Sequence, residues 1–491
     1  MKIWKTNDSF LKAFKLFSPL YFDQELSLYL RMTLIKSISG IRGTIGGKTA
    51  DNLTPVDTVI FAAAYATWLK KNITLDHYRV VVGRDARISG SMIQGLVNQT
   101  LVGCGVEVMD LGLSTTPTVE MAVTQHQAQG GIVITASHNP LQWNALKLLN
   151  DKGEFLNASS GQAVLEIAKN KDFEFAEVDR LGKIHRIEDA IKDHIDKILN
   201  LPLVNVHEVK KMNFKVVVDA VNSTGGIAIP QLLESMGVEL VPIYCEPTGY
   251  FPHNPEPLKE HLTALCEKVV KEKADFGIVV DPDVDRLAFV DENGVVFGEE
   301  YTLVACSDYV LSKTPGNTVS NLSSTRALAD ITMRHGGAYS SSGVGEVNVV
   351  EKMKAVNAVI GGEGNGGVIY PDLHYGRDAL VGVALFLSFL AEKKASVSAL
   401  RASYPNYFMS KGKVQLAQGM DVNGILNKIA ERYAENKPIT IDGVKIDFSN
   451  SWVHLRKSNT EPIIRVYTEA ESEKEAEDLA ERFLKEIQSA G

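Results

Sequence analysis

The chain has 491 residues, 45% hydrophobic and 23% charged, with 51 Lys+Arg against 60 Asp+Glu and a formal net charge of −9. That composition excludes disordered, collagen-like and low-complexity classes, and the length gives roughly three domains at about 150 residues each. The acidic balance offers no electrostatic footprint for nucleic acid, and no apolar run of about 18 residues is written for a membrane span, so neither is an expected partner.

Residues 1–31 contain Phe10, Leu11, Phe14, Leu16 and Phe17, but Lys12 and Lys15 interrupt them and no small-x-small cleavage site follows. They do not read as a secretory signal. Met32 stands directly before Thr33-Leu34-Ile35-Lys36 and reads as the start of the body; an N-terminal helix docked on that body is the alternative.

Beyond it the rhythm is strand then helix. Residues 54–71 read as a helix, with Thr54 as N-cap, Pro55 in the first position, Asp57 in the first turn, and Val56, Ile60, Ala63 and Thr67 on one face. Near-continuous apolar strands over 78–83 and 131–135 suggest a parallel sheet buried on both faces. Strands follow at 214–219, 238–244 and 275–280, then a hairpin from Leu287 to Phe297 turning at Asn293-Gly294. A third α/β stretch covers 299–395, with an apolar segment at 358–361 and a long helix over 378–393. The C-terminal part reads as a smaller α+β module, with strands at 413–416, 440–446, 452–455 and 463–468, and a closing helix that starts at Ser472 with Glu475 three residues on. Ser403-Tyr404-Pro405-Asn406 is the expected linker. Three similar α/β units hint at an internal repeat. The scattered Cys104, Cys245, Cys266 and Cys306 form no C-x-x-C and read as buried thiols of a reducing compartment, the cytoplasm.

The sharpest motif is Asp281-Pro282-Asp283-Val284-Asp285-Arg286, directly after a buried strand. Three carboxylates at alternate positions repel one another, and a hard divalent cation relieves that repulsion. An EF-hand is excluded because position 6 is Arg286 and a strand precedes the loop. In Thr135-Ala136-Ser137-His138-Asn139-Pro140, a serine ends a buried strand, but Thr135 and Asn139 stand where a hydrolase elbow needs glycine. Taken alone the segment reads as an Asn-Pro turn. Arg456-Lys457-Ser458-Asn459-Thr460-Glu461-Pro462, with Arg465 beyond, has the donors of a phosphate cradle. In Gly361-Gly362-Glu363-Gly364-Asn365-Gly366-Gly367, the glycines are expected to let backbone approach a ligand, with Glu363 and Asn365 facing its hydroxyls. Gly43 to Thr49 only imitates a nucleotide-binding P-loop, because the required first glycine falls on Arg42.

Together these segments resemble the α-D-phosphohexomutase superfamily over about residues 33–489. The resemblance is carried, in order, by Ser39-Gly40-Ile41-Arg42-Gly43, the run Gly83 to Gly90 (Gly-Arg-Asp-Ala-Arg-Ile-Ser-Gly), the Ser137 segment, Asn144-Ala145-Leu146-Lys147, the aspartate loop, the Glu363 loop, Gly376-Arg377-Asp378 and the Arg456 loop. It implies a four-domain α/β architecture: three related α/β domains and a smaller C-terminal α+β domain, heart-shaped around a central cleft. The expected boundaries are 32–185, with the phosphoserine loop, 186–298, with the metal loop, 299–402, with the sugar loop, and 403–491, with the phosphate-binding loop.

The implied activity interconverts hexose 6-phosphate and hexose 1-phosphate through a phosphorylated Ser137 and a bound hexose 1,6-bisphosphate, which also serves as activator. Mg²⁺ would sit on Asp281, Asp283, Asp285 and the Ser137 phosphoryl group. Arg42, Lys147, Arg286 and His138 are the expected further catalytic groups; a cationic lysine serves as an acid, and as a base only if burial lowers its pKa. Glu363 and Asn365 would contact the sugar, and Arg456, Ser458, Asn459, Thr460 and Arg465 the non-reacting phosphate. The sequence departs from the family pattern twice. Pro282 and Val284 replace Gly and Ala at non-ligand positions, and Asn365 and Gly367 replace the serine and histidine of Gly-Glu-x-Ser-Gly-His, with His374 the nearest histidine to compensate. The reading leans to glucosamine phosphate, with broad glucose and mannose phosphate specificity as the alternative. A metal-dependent phosphatase and a non-catalytic phosphosugar-binding protein are the remaining rivals. A monomer or homodimer is expected.

Overall fold

The computed structural model describes residues 33–37, 40–415, 421–457 and 463–490. The leader over 1–31 and the residues Ser458, Asn459 and Thr460 lie outside them.

The first unit is built on a seven-stranded sheet: β1 (Ile35–Ser37), β2 (Gly40–Thr44), β3 (Tyr78–Arg84), β4 (Val106–Leu113), β5 (Gly130–Ile134), β6 (Trp143–Leu149) and β7 (Ile184–Arg186), in the order β1-β2-β6-β5-β3-β4-β7. Strands β5, β3, β4 and β7 run parallel, and β6 and β2 antiparallel to their neighbours. Successive side chains point to opposite faces, and both faces are apolar: Val80, Val82, Ile132 and Ile134 enter one core, Val81 and Val133 the other. The helix Pro55–Asn72 starts at a Thr54–Asp57 capping box. The expected stripe splits: Ala63 is fully buried in the core and Ile60 packs against it, while Val56 lies outside. Val56 is 53% exposed, and Phe61, Tyr65 and Leu69 carry the packing.

The second unit contains β8 (Lys215–Asp219), β9 (Glu239–Ile243), β10 (Phe276–Val280) and β11 (Leu287–Asp291), ordered β11-β10-β8-β9. The third contains β12 (Asn317–Asn321), β13 (Tyr339–Ser342), β14 (Ala358–Glu363) and β15 (Gly367–Ile369), ordered β13-β12-β14-β15. Numbered within each unit, both sheets read 2-1-3-4, with three parallel strands and an antiparallel fourth. The run β4-β3-β5-β6 of the first sheet has the same order. The repeat that residue identity only hinted at is therefore present in the topology. In each copy the connection between third and fourth strands is a short reversal at the carboxyl end of a buried parallel strand. These connections carry Ser137, the three aspartates and the Glu363–Gly367 segment.

The second and third units share one core, filled by the helix Ala379–Lys393, which is buried from Ala379 to Ala391 without a break. Phe386 stacks on Phe289 at 3.8 Å between ring centroids. The expected hairpin forms, but its return limb makes only a bridge at Val290–Val296 beyond the Gly294 turn. The linker is not a free spacer: Tyr404 is buried, and Tyr301 donates its hydroxyl to the Pro405 carbonyl at 2.7 Å while accepting from the Tyr407 amide at 2.9 Å. The fourth unit is an antiparallel sheet of β16 (Phe408–Gln415), β17 (Val444–Asp447), β18 (Trp452–Lys457) and β19 (Ile463–Ala470), ordered β16-β19-β18-β17. Helices Val422–Arg432 and Glu473–Ala490 join it through a separate core around Phe483. Among the described residues no helix is long and apolar enough to cross a membrane.

Candidate active site

Ser137, three residues beyond the end of β5, takes a left-handed conformation, φ +48°, which costs a non-glycine residue about 1 kcal/mol or more. Its surroundings hold it there. The Ser137 amide donates to Thr135 Oγ1 at 2.9 Å, and that hydroxyl donates to Asp85 Oδ2 at 2.7 Å. Arg87, only 1% exposed, spreads its guanidinium over four carbonyls of the loop: Ser137 at 2.5 Å, Asn139 at 2.6 Å, Pro140 at 2.8 Å and Trp143 at 3.0 Å. Asp85 supplies the counter-charge at 3.1 Å from Arg87 Nε. Ser137 Oγ is thereby aimed at Asp281, donating to Oδ2 at 2.6 Å.

Asp281, Asp283 and Asp285 are fully buried, and one oxygen from each lies within 4.8 Å of the others. Asp281 Oδ1 accepts from the amides of Asp285 and Arg286, both at 3.2 Å. Asp283 Oδ2 accepts from Thr116 Oγ1 at 2.5 Å and Lys147 Nζ at 2.8 Å, and Asp285 Oδ2 from Arg377 Nη2 at 2.6 Å. Asp283 Oδ1 and Asp285 Oδ1 are buried with no hydrogen-bond partner. Buried unpaired carboxylate oxygens are costly, and an all-oxygen set of three carboxylates suits a hard divalent cation. The same strain shows in protonation. Burial, then Asp285 and Asp283, push Asp281 well above the usual carboxylate range. Burial pushes Asp283 the same way, yet Lys147 and Thr116 hold it well below. Ser223 and Thr224 brace the loop from the second unit through the Pro282 carbonyl, at 2.6 and 2.9 Å.

Around this pair of loops stand the expected cations. Burial pulls the Lys147 ammonium down, but Asp283 and Asp285 outweigh it and hold it above the usual lysine range. The direction is opposite to the lowering that a lysine base needs. Arg286 pairs with Glu256 at 2.9 Å. Burial, followed by Arg286, keeps His138 well below its usual pKa, so its Nδ1, 3.3 Å from Ser137 Oγ, belongs to a neutral ring. Burial and the neighbouring Arg465 charge depress Arg42, whose Nε has no partner. Arg465 in turn faces Arg456 directly across β18 and β19, and Arg456 Nε is held by Asp442 at 2.8 Å. Arginines pressed together in this way make a seat for an anion.

The glycines of the Glu363 loop lie close against protein neighbours. A Cβ on Gly364 would meet the Glu300 carboxylate at 1.9 Å, on Gly366 the Leu287 carbonyl at 2.2 Å, and on Gly367 Arg377 Cδ at 2.4 Å. These glycines admit the protein's own neighbours. Glu363 accepts from Asn321 at 2.8 Å, the Gly345 amide at 3.0 Å and Arg377 Nη1 at 2.9 Å, which together outweigh burial and hold it below its usual range. Asn365 Oδ1 accepts from the Gly367 amide at 3.3 Å. His374 does not stand in for the missing histidine: its ring nitrogens face Glu120 at 3.5 Å and Asp378 at 3.3 Å. The space beside Gly367 belongs to Arg377, which also reaches Glu346 at 2.8 Å.

The sequence reading passed over Arg87, Arg377 and Thr116 as site residues. Both arginines lie in short runs with an aspartate; Arg87 pairs with its own, Asp85, whereas Arg377 pairs with the distant Asp285, Glu346 and Glu363. Thr116 carried no signal, because its role exists only where the first unit meets the second.

Four family models match the chain between residues 34 and 486. Phosphoglucomutase/phosphomannomutase α/β/α domain I matches residues 34–175, domain II 192–294, domain III 298–407 and the C-terminal domain 411–486. The chain is 37% identical to a phosphoglucomutase/phosphomannomutase of Thermococcus kodakarensis, over 91% of this chain and 98% of that one. It is 32% identical to a phosphoglucosamine/phosphogalactosamine mutase of Sulfurisphaera tokodaii, again over 91% and 98%. A crystal structure of a phosphoglucomutase/phosphomannomutase family protein from Burkholderia thailandensis superposes with a TM-score of 0.80 at 26% identity, covering 93% of this chain and 98% of the other.

Proposed function

The chain belongs to the phosphoglucomutase/phosphomannomutase family and is a phosphohexomutase, an intramolecular phosphotransferase; from that premise we propose that it interconverts the 1- and 6-phosphates of glucose and mannose, with Ser137 as the phosphoryl carrier. The observation that carries the assignment of Ser137 is its Oγ, 2.6 Å from Asp281 in a cluster of three buried aspartates.

Asp281, Asp283 and Asp285 would hold Mg²⁺, which would supply positive charge against the phosphoryl group in transfer. The Ser137 Oγ–P bond breaks as a bond forms from phosphorus to the free hydroxyl of the hexose phosphate. Lys147 gives its proton to the departing serine oxygen and takes up the proton released by the acceptor hydroxyl, so that it ends the step cationic again, and Arg286 adds positive charge beside it. The bisphosphate turns within the cleft and returns its other phosphoryl group to Ser137. Arg42, Arg456 and Arg465, together with Ser458, Asn459 and Thr460, grip whichever phosphate is not reacting, and Glu363 and Asn365 contact the sugar. His138 stays neutral and orients Ser137. A trace of hexose 1,6-bisphosphate primes the serine.

Glucose and mannose are favoured over an amino sugar because Glu363, the acidic group of the sugar loop, is already neutralised by Arg377. A 2-ammonium group would find its carboxylate partner taken. The 32% identity to the Sulfurisphaera enzyme favours glucosamine phosphate as the second reading. We place the reaction in the cytoplasm, in keeping with four unpaired cysteines, on a monomer or homodimer. ³¹P NMR with Mg²⁺, glucose, mannose and glucosamine 1-phosphates and traces of their bisphosphates decides. Conversion of glucose and mannose phosphates supports the proposal, and conversion of glucosamine phosphate alone supports the second reading. Growth of inorganic phosphate instead would assign a phosphatase, and no change would leave a binding protein.

A further inference from the structure

A second cluster of metal-ligating side chains lies apart from the aspartate loop, and none of the proposed chemistry uses it. His194, in the helix Ala190–Leu199 of the second unit, and His374 and Asp378, in the third, bring one ligand atom each within 4.8 Å of one another. The two imidazoles converge on a single oxygen. His194 Nε2 lies 3.0 Å and His374 Nε2 3.3 Å from Asp378 Oδ2. The rings meet edge to face, 85° apart. The other Asp378 oxygen is occupied: as N-cap of the helix Ala379–Lys393 it accepts from the amides of Leu380 at 2.8 Å and Val381 at 3.3 Å. Oδ2 is therefore turned toward the histidines by the fold.

The outer nitrogens are provided for as well. His194 Nδ1 stands 3.0 Å from Thr118 Oγ1, and His374 Nδ1 stands 3.5 Å from Glu120 Oε2. Thr118 and Glu120 come from one helix of the first unit, Thr116–Gln125. Glu120 is 2% exposed and neither of its oxygens has a hydrogen-bond partner. Glu120 Oε2, packed where a Cβ on Gly376 would stand 1.9 Å away, sets an acid group with no hydrogen-bond partner of its own against His374 Nδ1. Such a group is what a metal-bound imidazole requires, because metal on Nε2 fixes the proton on Nδ1 and leaves it needing an acceptor.

We propose that His194, His374 and Asp378 form a second metal site, for a borderline transition cation such as Zn²⁺, with Thr118 and Glu120 orienting the two imidazoles. Metal–nitrogen bonds of about 2.0–2.1 Å in a tetrahedral set place neighbouring ligand atoms about 3.3 Å apart, near the 3.0 and 3.3 Å observed. Two nitrogens and one oxygen select against Mg²⁺, which the all-oxygen aspartate loop suits. The His374 side chain, 12% exposed, leaves an edge where water completes the coordination. The ion is a tie between units: it gathers ligands from the second and third and their orienting groups from the first. The helix that supplies Thr118 and Glu120 also supplies Thr116, which bonds Asp283 at 2.5 Å. The site thus holds the aspartate loop's supporting helix in place and takes no part in phosphoryl transfer.

The test loads the full chain with one equivalent of Co²⁺ or Zn²⁺ in excess Mg²⁺, which keeps the aspartate loop occupied. The expected result is the visible d–d spectrum of low-symmetry Co²⁺, lost in His194→Gln and His374→Gln and retained in Asp281→Asn. Glu120→Gln is expected to weaken Zn²⁺ binding by about 10- to 100-fold. X-ray absorption at the zinc edge of the unsubstituted protein should show scattering from two imidazoles, a reading independent of whether any variant folds. Zinc bound through oxygen alone, a cobalt spectrum lost only in Asp281→Asn, or no retained metal would overturn the proposal. None of these outcomes bears on Ser137, so the mutase reading stands or falls separately.

Discussion

Arg377 Cδ lies 2.4 Å from the point where a Cβ on Gly367 would stand. The same guanidinium bonds Asp285 at 2.6 Å, Glu346 at 2.8 Å and Glu363 at 2.9 Å. Metal loop and sugar loop are thereby joined through one side chain, and the absence of a side chain at 367 is the condition for it. Gly367→Ala is expected to force Arg377 off this position at a cost of about 1–3 kcal/mol. Gly367→His, which restores the family's residue, is expected to cost more. Urea unfolding of both variants checks this, and unchanged midpoints would show that Arg377 yields freely.

Ser137→Ala removes the proposed carrier and is expected to lower mutase turnover on the order of 10³-fold or more, with the fold retained. Assays primed with bisphosphate and labelling of the resting protein by phosphate test this together. Near-normal turnover without a phosphoserine would refute the shuttle.

Arg87→Met strands Asp85, which is buried at 3.1 Å from Arg87 Nε, and frees the Ser137 loop. Breaking a buried pair costs about 3–5 kcal/mol. Since the loop carbonyls also lose their donor, kcat is expected to fall more than KM rises. Arg87→Met with Asp85→Asn should recover stability but not kcat, separating the loop's positioning from the charge balance.

Asp281 is pushed up by burial, then by Asp285 and Asp283. In metal-free protein, Asp281→Asn is therefore expected to be no less stable than the parent. Saturating Mg²⁺, at about 100 times its Kd, should stabilise the parent by about 2.7 kcal/mol and the variant by little. Melting with and without EDTA measures both, and equal Mg²⁺ protection in the two would remove Asp281 from the metal set.

His454 ties the fourth unit to the third. Its Nε2 donates to the Asp442 carbonyl at 2.7 Å, so Nδ1 accepts from Ser323 Oγ at 2.8 Å. Burial, then Lys445, lower its pKa to about 4. An unfolded histidine titrates near 6.5, so between these values the unfolded chain binds more protons. The stability from neutral His454 is complete above about pH 6.5 and is lost as pH falls toward 4, on the order of 3 kcal/mol. His454→Gln should flatten that stretch of the stability–pH curve, and an unchanged slope would mean that His454 is not buried neutral.

The elements were legible where one physical cause dominated. The capping box at Thr54 and Asp57, the apolar strands and the Asn293-Gly294 turn are local signals, and the structure has them. Patterning was right only in part on the helix after Thr54: Ala63 of the expected stripe is in the core and Val56 is not. Apolar residues surround it, so periodicity could not choose the buried face; the neighbouring helices Gly90–Gly103 and Ala158–Asn170 did. The glycine-rich loop was open to more than one reading in the same way. Glycine reports that something comes close, and only the fold says that it is Glu300, Leu287 and Arg377.

By itself the sequence determined the ligand chemistry: three alternate carboxylates, a serine at a strand end and a cluster of arginines are written in contiguous residues, because charge and nucleophilicity belong to side chains. Only the tertiary structure decided that the three loops occupy one place in three copies of a 2-1-3-4 sheet, that Ser137 Oγ faces Asp281 across 144 positions of chain, and that Lys147 meets Asp283 and Asp285, which hold its pKa up. The physical reason is that proximity and burial set hydrogen-bond partners and proton affinities, and both arise from residues far apart in sequence. The meeting of His194 with Asp378, 184 positions away, is of the same kind.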